Sequence, residues 1–432
     1  MQKNTIEQLS VQSRTKLQGS VHISGSKNAS LPIIAACLLA KTPSRLYNIP
    51  RLLDTTSMLE ALSSLACNIC IHEDHSISID PKQCTGEALN KNVAKKLRGS
   101  FLILGPLLAR YKKAQIPLPG GCNIGARPVD IHLTGLRKMG AYIEVQGGVV
   151  HASTQGKLKG AEITLDVASV TGTENLIMAA SLAEGKTIIH NAAKEPEIVN
   201  LCDFINLMGG KISGAGENTI EIEGVEDLTG KTFNIIYDRL EAGTYMIAAA
   251  ITQGDLKIHN IHPEHLGAVI DKLEEAGAII TINKQSLSIC MPKKPKAVSI
   301  STAVYPGFPT DLQAQWLALN CIADGPACVQ ENIFEHRFMH AIQFQKMGAN
   351  LTIEGNRVIS AGNDKLIGTD IIASDIRASA GLILAGLAAC GTTYISNLHH
   401  VDRGYVHLEE NFCNLGATIK RKTQTLEVVS QK

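Results

Sequence analysis

Leu136-Arg-Lys-Met-Gly-Ala141 ends one pattern and begins another: an apolar-periodic segment stops at a glycine, and a β-rich run, Tyr142–Val145, follows. Glycine at that point suits the left-handed residue that closes a helix. The same device returns at Leu207-Met-Gly-Gly210, Leu273-Glu-Glu-Ala-Gly-Ala278, Gln345-Lys-Met-Gly-Ala349 and Asn414-Leu-Gly-Ala417, with a degenerate first copy at Ser64-Leu-Ala-Cys67. The spacing of about 70 residues is longer than solenoid periods. Each copy also carries an earlier small-residue helix: Ala29–Leu39, Ser100–Ala109, Glu174–Ala183, Ala242–Ile251, Leu312–Ala323 and Ala378–Ala389. These are apolar nearly all round, which predicts burial. Each repeat therefore reads β-α-β-α-β-β, and six copies make an α/β protein of two pseudo-threefold domains.

A chain of 432 residues is too long for one ordinary core, which agrees with two domains. A net charge of +1 argues against nucleic acid or an anionic membrane surface as the main partner. The eleven cysteines are scattered and odd in number, and Cys37, Cys321 and Cys390 lie in apolar helical contexts, the pattern of reduced buried thiols. The first twenty residues lack the apolar segment of a signal peptide, and the longest apolar stretches, such as Leu31–Ala40, are too short for a bilayer. The expected location is therefore cytoplasmic. Cys67, Cys70, His72 and His75 resemble a metal site, but the spacing is too compressed for the usual zinc arrangements, so no metal is expected.

Polar residues gather where the buried helices begin: Ser26-Lys27-Asn28, Lys96 and Arg98, Thr171–Glu174, Asp238-Arg239 with Glu241, Thr310-Asp311, and Asp375 with Arg377. Such ends have free N–H groups and suit phosphate and carboxylate ligands. Capping by Asn28, Thr310 or Ser374 explains part of the pattern. It does not require Lys27, Arg98 and Arg377, which point to a shared anionic cleft. The second loops of the repeats add Cys122–Asp130, Glu195-Pro196-Glu197, Glu335-His336-Arg337 and Asp402-Arg403-Gly404-Tyr405. In the first of these, three glycines and two prolines between Pro119 and Asp130 forbid regular structure, and Cys122 rides on that loop five residues before Arg127. An arginine there lowers a thiol pKa or holds an anion beside it.

These motifs resemble the UDP-N-acetylglucosamine 1-carboxyvinyltransferase family, of the superfamily that includes EPSP (enolpyruvyl-shikimate-phosphate) synthase. Ser24-Gly-Ser-Lys27-Asn28-Ala resembles the family's Gly-Ala-Lys-Asn turn. Leu118-Pro-Gly-Gly-Cys122 through Arg127-Pro-Val-Asp130 is similar to its catalytic loop, and Phe308-Pro-Thr-Asp311-Leu-Gln-Ala-Gln315 to its base segment. Arg337-Phe-Met-His340, Asp375-Ile-Arg377-Ala-Ser and His400-Val-Asp-Arg403-Gly-Tyr405 complete the set. Leu53, Val167, the glycine after Arg98 and His336 depart from the family's pattern, which bears on nucleotide affinity and domain closure.

The resemblance implies inside-out α/β barrel domains, residues 28–236 forming one and 1–27 plus 237–432 the other, with the active site in the cleft between them. It implies transfer of the enolpyruvyl group of phosphoenolpyruvate to the 3-hydroxyl of UDP-N-acetylglucosamine in a bacterial cytoplasm. No cofactor, metal, nucleic acid, membrane or obligate protein partner is implied. Cys122 is the expected acid and Asp311 the expected base. Lys27, Arg127 and Arg403 are expected on phosphoenolpyruvate, with Arg98, Arg337 and Arg377 completing the cationic site. Asn28 is expected to touch the intermediate. Arg127, Pro128, Val129, Asp130, Ile131, Ser169, Val170 and Ile333 are expected to line the nucleotide-sugar site. The alternatives are a catalytically silent nucleotide-sugar-binding paralogue and, on the shared Gly-Ser-Lys beginning, an EPSP synthase-like enzyme, whose pattern lacks the Pro-Gly-Gly-Cys loop.

Overall fold

Helices apolar on every side have to be enclosed, and all six are. The computed structural model of the protein describes residues 4–12, 16–86, 88–90, 94, 97–118, 129–362 and 365–426. Within them the enclosed helices run over Lys27–Ala36, Leu104–Tyr111, Val170–Ala180, Arg239–Ile251, Gln313–Ile322 and Ile376–Ala388. In the fourth, every residue from Leu240 to Ile251 is buried. The expected helix over Ser100–Ala109 is tighter at its start, a 3-10 turn over Arg98–Ile103. Pro106 has no N–H to return to Leu102, and the N–H of Gly105 goes to Asn175 Oδ1 at 2.6 Å, so α-helical bonding cannot begin earlier.

The chain divides into two compact units, Ser24–Cys122 with Arg127–Tyr237, and Met1–Ile23 with Asp238–Lys432. The first unit contains three sheets. Thr232–Asn234 lies parallel to Ser44–Tyr47, which continues antiparallel into Ile77–Asp80 and Asn68–Ile71. Glu162–Thr164 lies parallel to Lys186–His190, followed by Thr219–Glu223 and Lys211–Ser213. Among the described residues the third sheet has Lys113–Pro117, Val149–Ser153 and Tyr142–Gln146, with a bridge from Ala88 to Gln115. Its helix Val170–Ala180 touches both Lys27–Ala36 and Leu104–Tyr111.

The second unit repeats the plan. Gln18–His22 lies parallel to Asp255–His259, and Ile300–Ser301 to Ala327–Gln330, each pair extended by an antiparallel hairpin. In the third sheet Asp370–Ile372 and Thr392–Ser396 are joined by Asn4–Gln12 and Thr418–Leu426. The helices Arg239–Ile251, Gln313–Ile322 and Ile376–Ala388 pack against one another pairwise. They approach so closely that a Cβ on Gly381 would lie 2.9 Å from the Ala314 carbonyl.

The first passage between units falls at Ile23–Ser24, not after residue 27. The N–H of Ser26 donates to Ile236 O at 2.7 Å, and Gly25 bridges Tyr237, so Lys27 is held in the unit of Asn28. The capping residues also stand beside the expected ones. Ser26, Asp238 and Asp375 cap their helices, whereas Asn28 lies inside the first turn and Ser374 Oγ donates to Asp375 Oδ2 at 3.0 Å. A cap side chain must stand just before the first helical residue to reach the N–H two or three places on.

The glycine that ends each second helix has the expected left-handed backbone, from φ 88° at Gly348 to 108° at Gly209. In the degenerate copy Ala66 adopts φ 66° instead, with the N–H of Cys67 returning to Leu62 O at 3.1 Å. A β-carbon in that conformation is strained. Ala66→Gly should therefore stabilise the protein by about 0.5–1 kcal/mol. Chemical denaturation reads this as a raised midpoint at unchanged slope, and an unchanged or lowered midpoint would contradict it.

Candidate active site

In the unit built from Asp238–Lys432, the turn Pro309-Thr310-Asp311 leads into a buried helix and presents Asp311 to two arginines from different repeats. Arg337 Nη2 donates to Asp311 Oδ1 at 2.7 Å, and Arg377 Nε donates to Asp311 Oδ2 at 3.0 Å. The arginine side chains are each 5% exposed and that of Asp311 is 25% exposed, so the carboxylate is the accessible member. Arg377 enters from the first turn of its helix, just after Asp375, whose Oδ1 accepts from the N–H groups of Arg377 and Ala378. Burial pulls the Arg377 pKa down, but Asp311, with Tyr405 and Asp238 behind it, more than reverses this and holds the guanidinium charged.

Each arginine is also held from behind. Arg377 Nη1 donates to the Tyr405 hydroxyl at 3.3 Å, which also meets Thr244 Oγ1 at 3.1 Å and Gln315 Nε2 at 3.3 Å. Arg337 Nη1 donates to Thr310 Oγ1 at 2.7 Å, and that hydroxyl donates to Glu331 Oε2 at 2.8 Å. Thr244 and Glu331 are neighbours outside the quoted motifs, and Gln315 closes the segment from Phe308 without having been given a role. Arg403 follows the short helix His399–Asp402 and is half-buried. The preceding Asp402 is gripped by Arg421 through two bonds of 3.1 and 2.6 Å. Ile333 stands 37% exposed on the loop between Glu331 and Arg337.

In the other unit Lys27 begins a helix capped by Ser26, and its Nζ pairs with Asp54 Oδ2 at 3.4 Å, both side chains buried. Asp54 adjoins Leu53 at the start of the helix Leu53–Ser64, and its sequence context gave no sign of this pairing. Asn28 is half-buried beside Lys27. Val129 is the N-cap of the helix Asp130–Lys138, and Asp130 and Ile131 occupy its first turn. Ser169 caps Val170–Ala180, its Oγ accepting from the N–H of Gly172 at 3.2 Å. A Cβ on Gly172 would stand 2.9 Å from Ile131 Cγ2, so Ile131 lies against the helix end that carries Ser169 and Val170. Cys122, Arg127, Pro128 and Lys96 lie outside the described residues, as does the side chain of Arg98.

The other acids and thiols sort by environment. Burial raises the Glu174 pKa well above the carboxylate range, and the nearby Glu197 and Glu195 raise it further. Burial pushes the thiols of Cys37, Cys202 and Cys321 up to about 12. Cys84 is the exception, drawn down to about 6 by a hydrogen bond from Cys67, whose own pKa rises in return; both are buried. Cys67 therefore turns inward while Cys70 is exposed, and His72 Nε2 meets Ser78 Oγ at 2.7 Å. Among the described residues no group of three or more such side chains is placed to hold a metal ion.

The model of the EPSP synthase (3-phosphoshikimate 1-carboxyvinyltransferase) family matches residues 11–412. A UDP-N-acetylglucosamine 1-carboxyvinyltransferase of Coxiella burnetii is 51% identical over 406 residues, 94% of each chain. This chain belongs to that family. A protein of the same name from Hydrogenovibrio crunogenus is 48% identical over 96% of this chain and 100% of its own. Among solved structures, the enolpyruvyl transferase NikO from Streptomyces tendae superposes with a TM-score of 0.87 at 23% identity, covering 98% of this chain and all of its own. An EPSP synthase from Acinetobacter baumannii superposes with a TM-score of 0.74 at 20% identity, over 96% of this chain and 100% of its own. These two likenesses establish the mixed α/β fold.

His132, two residues into the helix that carries Asp130 and Ile131, gives a pH-dependent link in this region. Asn175 Oδ1 accepts from Gly105, so its Nδ2 donates to His132 Nδ1 at 2.9 Å, and His132 Nε2–H faces Thr171 Oγ1 at 3.3 Å. Burial lowers the His132 pKa to about 4, and a proton on Nδ1 would face the Asn175 NH2 group. A depressed folded-state pKa gives stability that is present above the unfolded value of about 6.5 and lost as pH falls towards 4. Over that window wild type should lose up to about 3 kcal/mol more than His132→Gln. Parallel unfolding curves at pH 7 and pH 4 for both proteins would refute the link.

Proposed function

We propose that this protein transfers the enolpyruvyl group of phosphoenolpyruvate to the 3-hydroxyl of UDP-N-acetylglucosamine, releasing phosphate, as the first committed step of peptidoglycan synthesis in a bacterial cytoplasm. The observation that carries this reading is 51% identity, over 94% of both chains, with a UDP-N-acetylglucosamine 1-carboxyvinyltransferase. The geometry supports it at Asp311, a partly exposed carboxylate backed by two buried guanidiniums. Among the described residues no helix is long and apolar enough to cross a membrane. We also read each unit as a pseudo-threefold inside-out barrel, a reading supported by three sheets and three enclosed helices per unit.

In this mechanism Cys122 delivers a proton to the methylene carbon of the enol while the sugar 3-hydroxyl attacks the adjacent carbon. Asp311 takes the hydroxyl proton. The resulting tetrahedral ketal carries carboxylate and phosphate charge, which Lys27, Arg127 and Arg403 hold, with Arg98, Arg337 and Arg377 completing the cationic surface. Asn28 touches this intermediate. A methyl proton then returns to the Cys122 thiolate, restoring the double bond as phosphate leaves with the proton held by Asp311. Val129, Asp130, Ile131, Ser169, Val170 and Ile333, with Arg127 and Pro128, line the nucleotide-sugar site.

Asp311→Asn should lower kcat by about 100-fold or more, because it removes the base without removing a bulky contact. Calorimetric affinity for UDP-N-acetylglucosamine should change no more than severalfold. Turnover near wild type in this variant would take Asp311 out of the mechanism. Wild-type protein that binds the sugar nucleotide but releases no phosphate from the two substrates would favour a catalytically silent paralogue.

Fosfomycin, an epoxide with the charge of phosphoenolpyruvate, should alkylate Cys122. Cys122→Ser should lose most activity, because a hydroxyl is a far weaker acid than a thiol. Cys122→Asp should keep part of it, since a carboxylic acid can also deliver a proton, and should resist the epoxide. Peptide mapping by mass spectrometry locates the label. A label on Cys84, the described thiol with a lowered pKa, or full activity of Cys122→Ser would overturn the assignment.

A further inference from the structure

Glu331 is buried, 2% exposed, at the end of the strand Ala327–Gln330. Its carboxylate accepts four hydrogen bonds. Oε1 takes the Thr302 hydroxyl at 2.9 Å and the N–H groups of Ile333 and Phe334 at 2.8 and 3.1 Å, and Oε2 takes the Thr310 hydroxyl at 2.8 Å. Thr310 lies next to Asp311 in sequence. Because its proton is committed to Glu331, its oxygen is free to accept, and it accepts from Arg337 Nη1, whose other terminal nitrogen holds Asp311.

We propose that Glu331 is a positioning residue for the carboxyvinyl transfer: through the Thr310 hydroxyl it fixes the fork of Arg337, and through that fork the orientation of Asp311. The proposal rests on the reading of Asp311 as base. Two features favour a functional over a purely structural role. The hydrogen-bond direction along Glu331, Thr310, Arg337 and Asp311 is set at each step, since a carboxylate only accepts and a guanidinium only donates. The sequence of bonds also ends on Asp311, a partly exposed carboxylate, rather than in the core.

The two oxygens of Glu331 have separable duties, which makes the idea testable. In Glu331→Gln an amide oxygen at the Oε1 position still accepts from Thr302, Ile333 and Phe334, so the loop stays anchored. The amide nitrogen now faces Thr310 and donates to it, which reverses that bond and leaves the Thr310 proton to compete with Arg337. Expected is a fall in kcat of about 10- to 100-fold with the KM for UDP-N-acetylglucosamine within about threefold and an unchanged unfolding midpoint. Thr310→Val should lose as much, and the double variant no more than Thr310→Val alone. Wild-type kcat in Glu331→Gln, or losses that multiply in the double variant, would overturn the proposal.

A readout independent of turnover separates this from failure of the functional reading, which wild-type phosphate release tests. In nitrogen-15 spectra of arginine side chains, the Arg337 guanidinium, assigned by its loss in Arg337→Lys, should show restricted rotation in wild type and averaging in Glu331→Gln. Restricted rotation that persists in Glu331→Gln refutes the positioning role, whether or not the protein turns over these substrates.

Discussion

A helix that is apolar around its whole circumference is stable only when every side is covered, and six such helices set the terms for the rest of this protein. Three sheets in each unit supply the cover, and the glycines where helices cross permit the approach. The same constraint leaves few polar groups in the helix bodies, and several collect at the first turns. There the unsatisfied N–H groups require acceptors, which Ser26, Ser169, Asp238 and Asp375 provide.

Lys27 and Arg377 stand one and two residues after such caps, in the first turn, where the helix dipole disfavours a cation. A buried cation at the positive end of a helix needs an anion close by. In the protein alone that anion is Asp54 for Lys27 and Asp311 for Arg377. The carboxylates thereby keep charges in place that would otherwise be costly to bury. Asp311 differs from the rest in being partly exposed, which fits a group that exchanges a proton with a reactant.

The repeat was legible because its signals are local. Gly140, Gly209, Gly277, Gly348 and Gly416 each mark a helix end by a backbone conformation that other residues rarely adopt. Asp311, Arg337 and Arg377 were named from their motifs, and the fold brings these three together. Other partners were not named. Asp54, Glu331, Thr244 and His132 lie in unremarkable sequence contexts, and each acquires its role from a residue on another element, such as Asn175 for His132. Even the caps were misplaced by a residue or two, at Asn28 and Ser374, since Ser, Asn and Asp all serve and only the turn geometry chooses among them.

Sequence alone determined the α/β class, the recurring helix-and-strand pattern and the enclosed helices, because periodicity and capping glycines are properties of short stretches. Only the tertiary structure decided which strand completes which sheet: Thr232–Asn234 joins Ser44–Tyr47, and Asn4–Gln12 fills a place beside Thr392–Ser396. It also decided that Lys27 belongs with Asp54 and that Arg337 and Arg377 converge on Asp311. Strand edges and buried charges select partners by distance and hydrogen-bond direction across the fold, and neither quantity is written in the neighbouring residues.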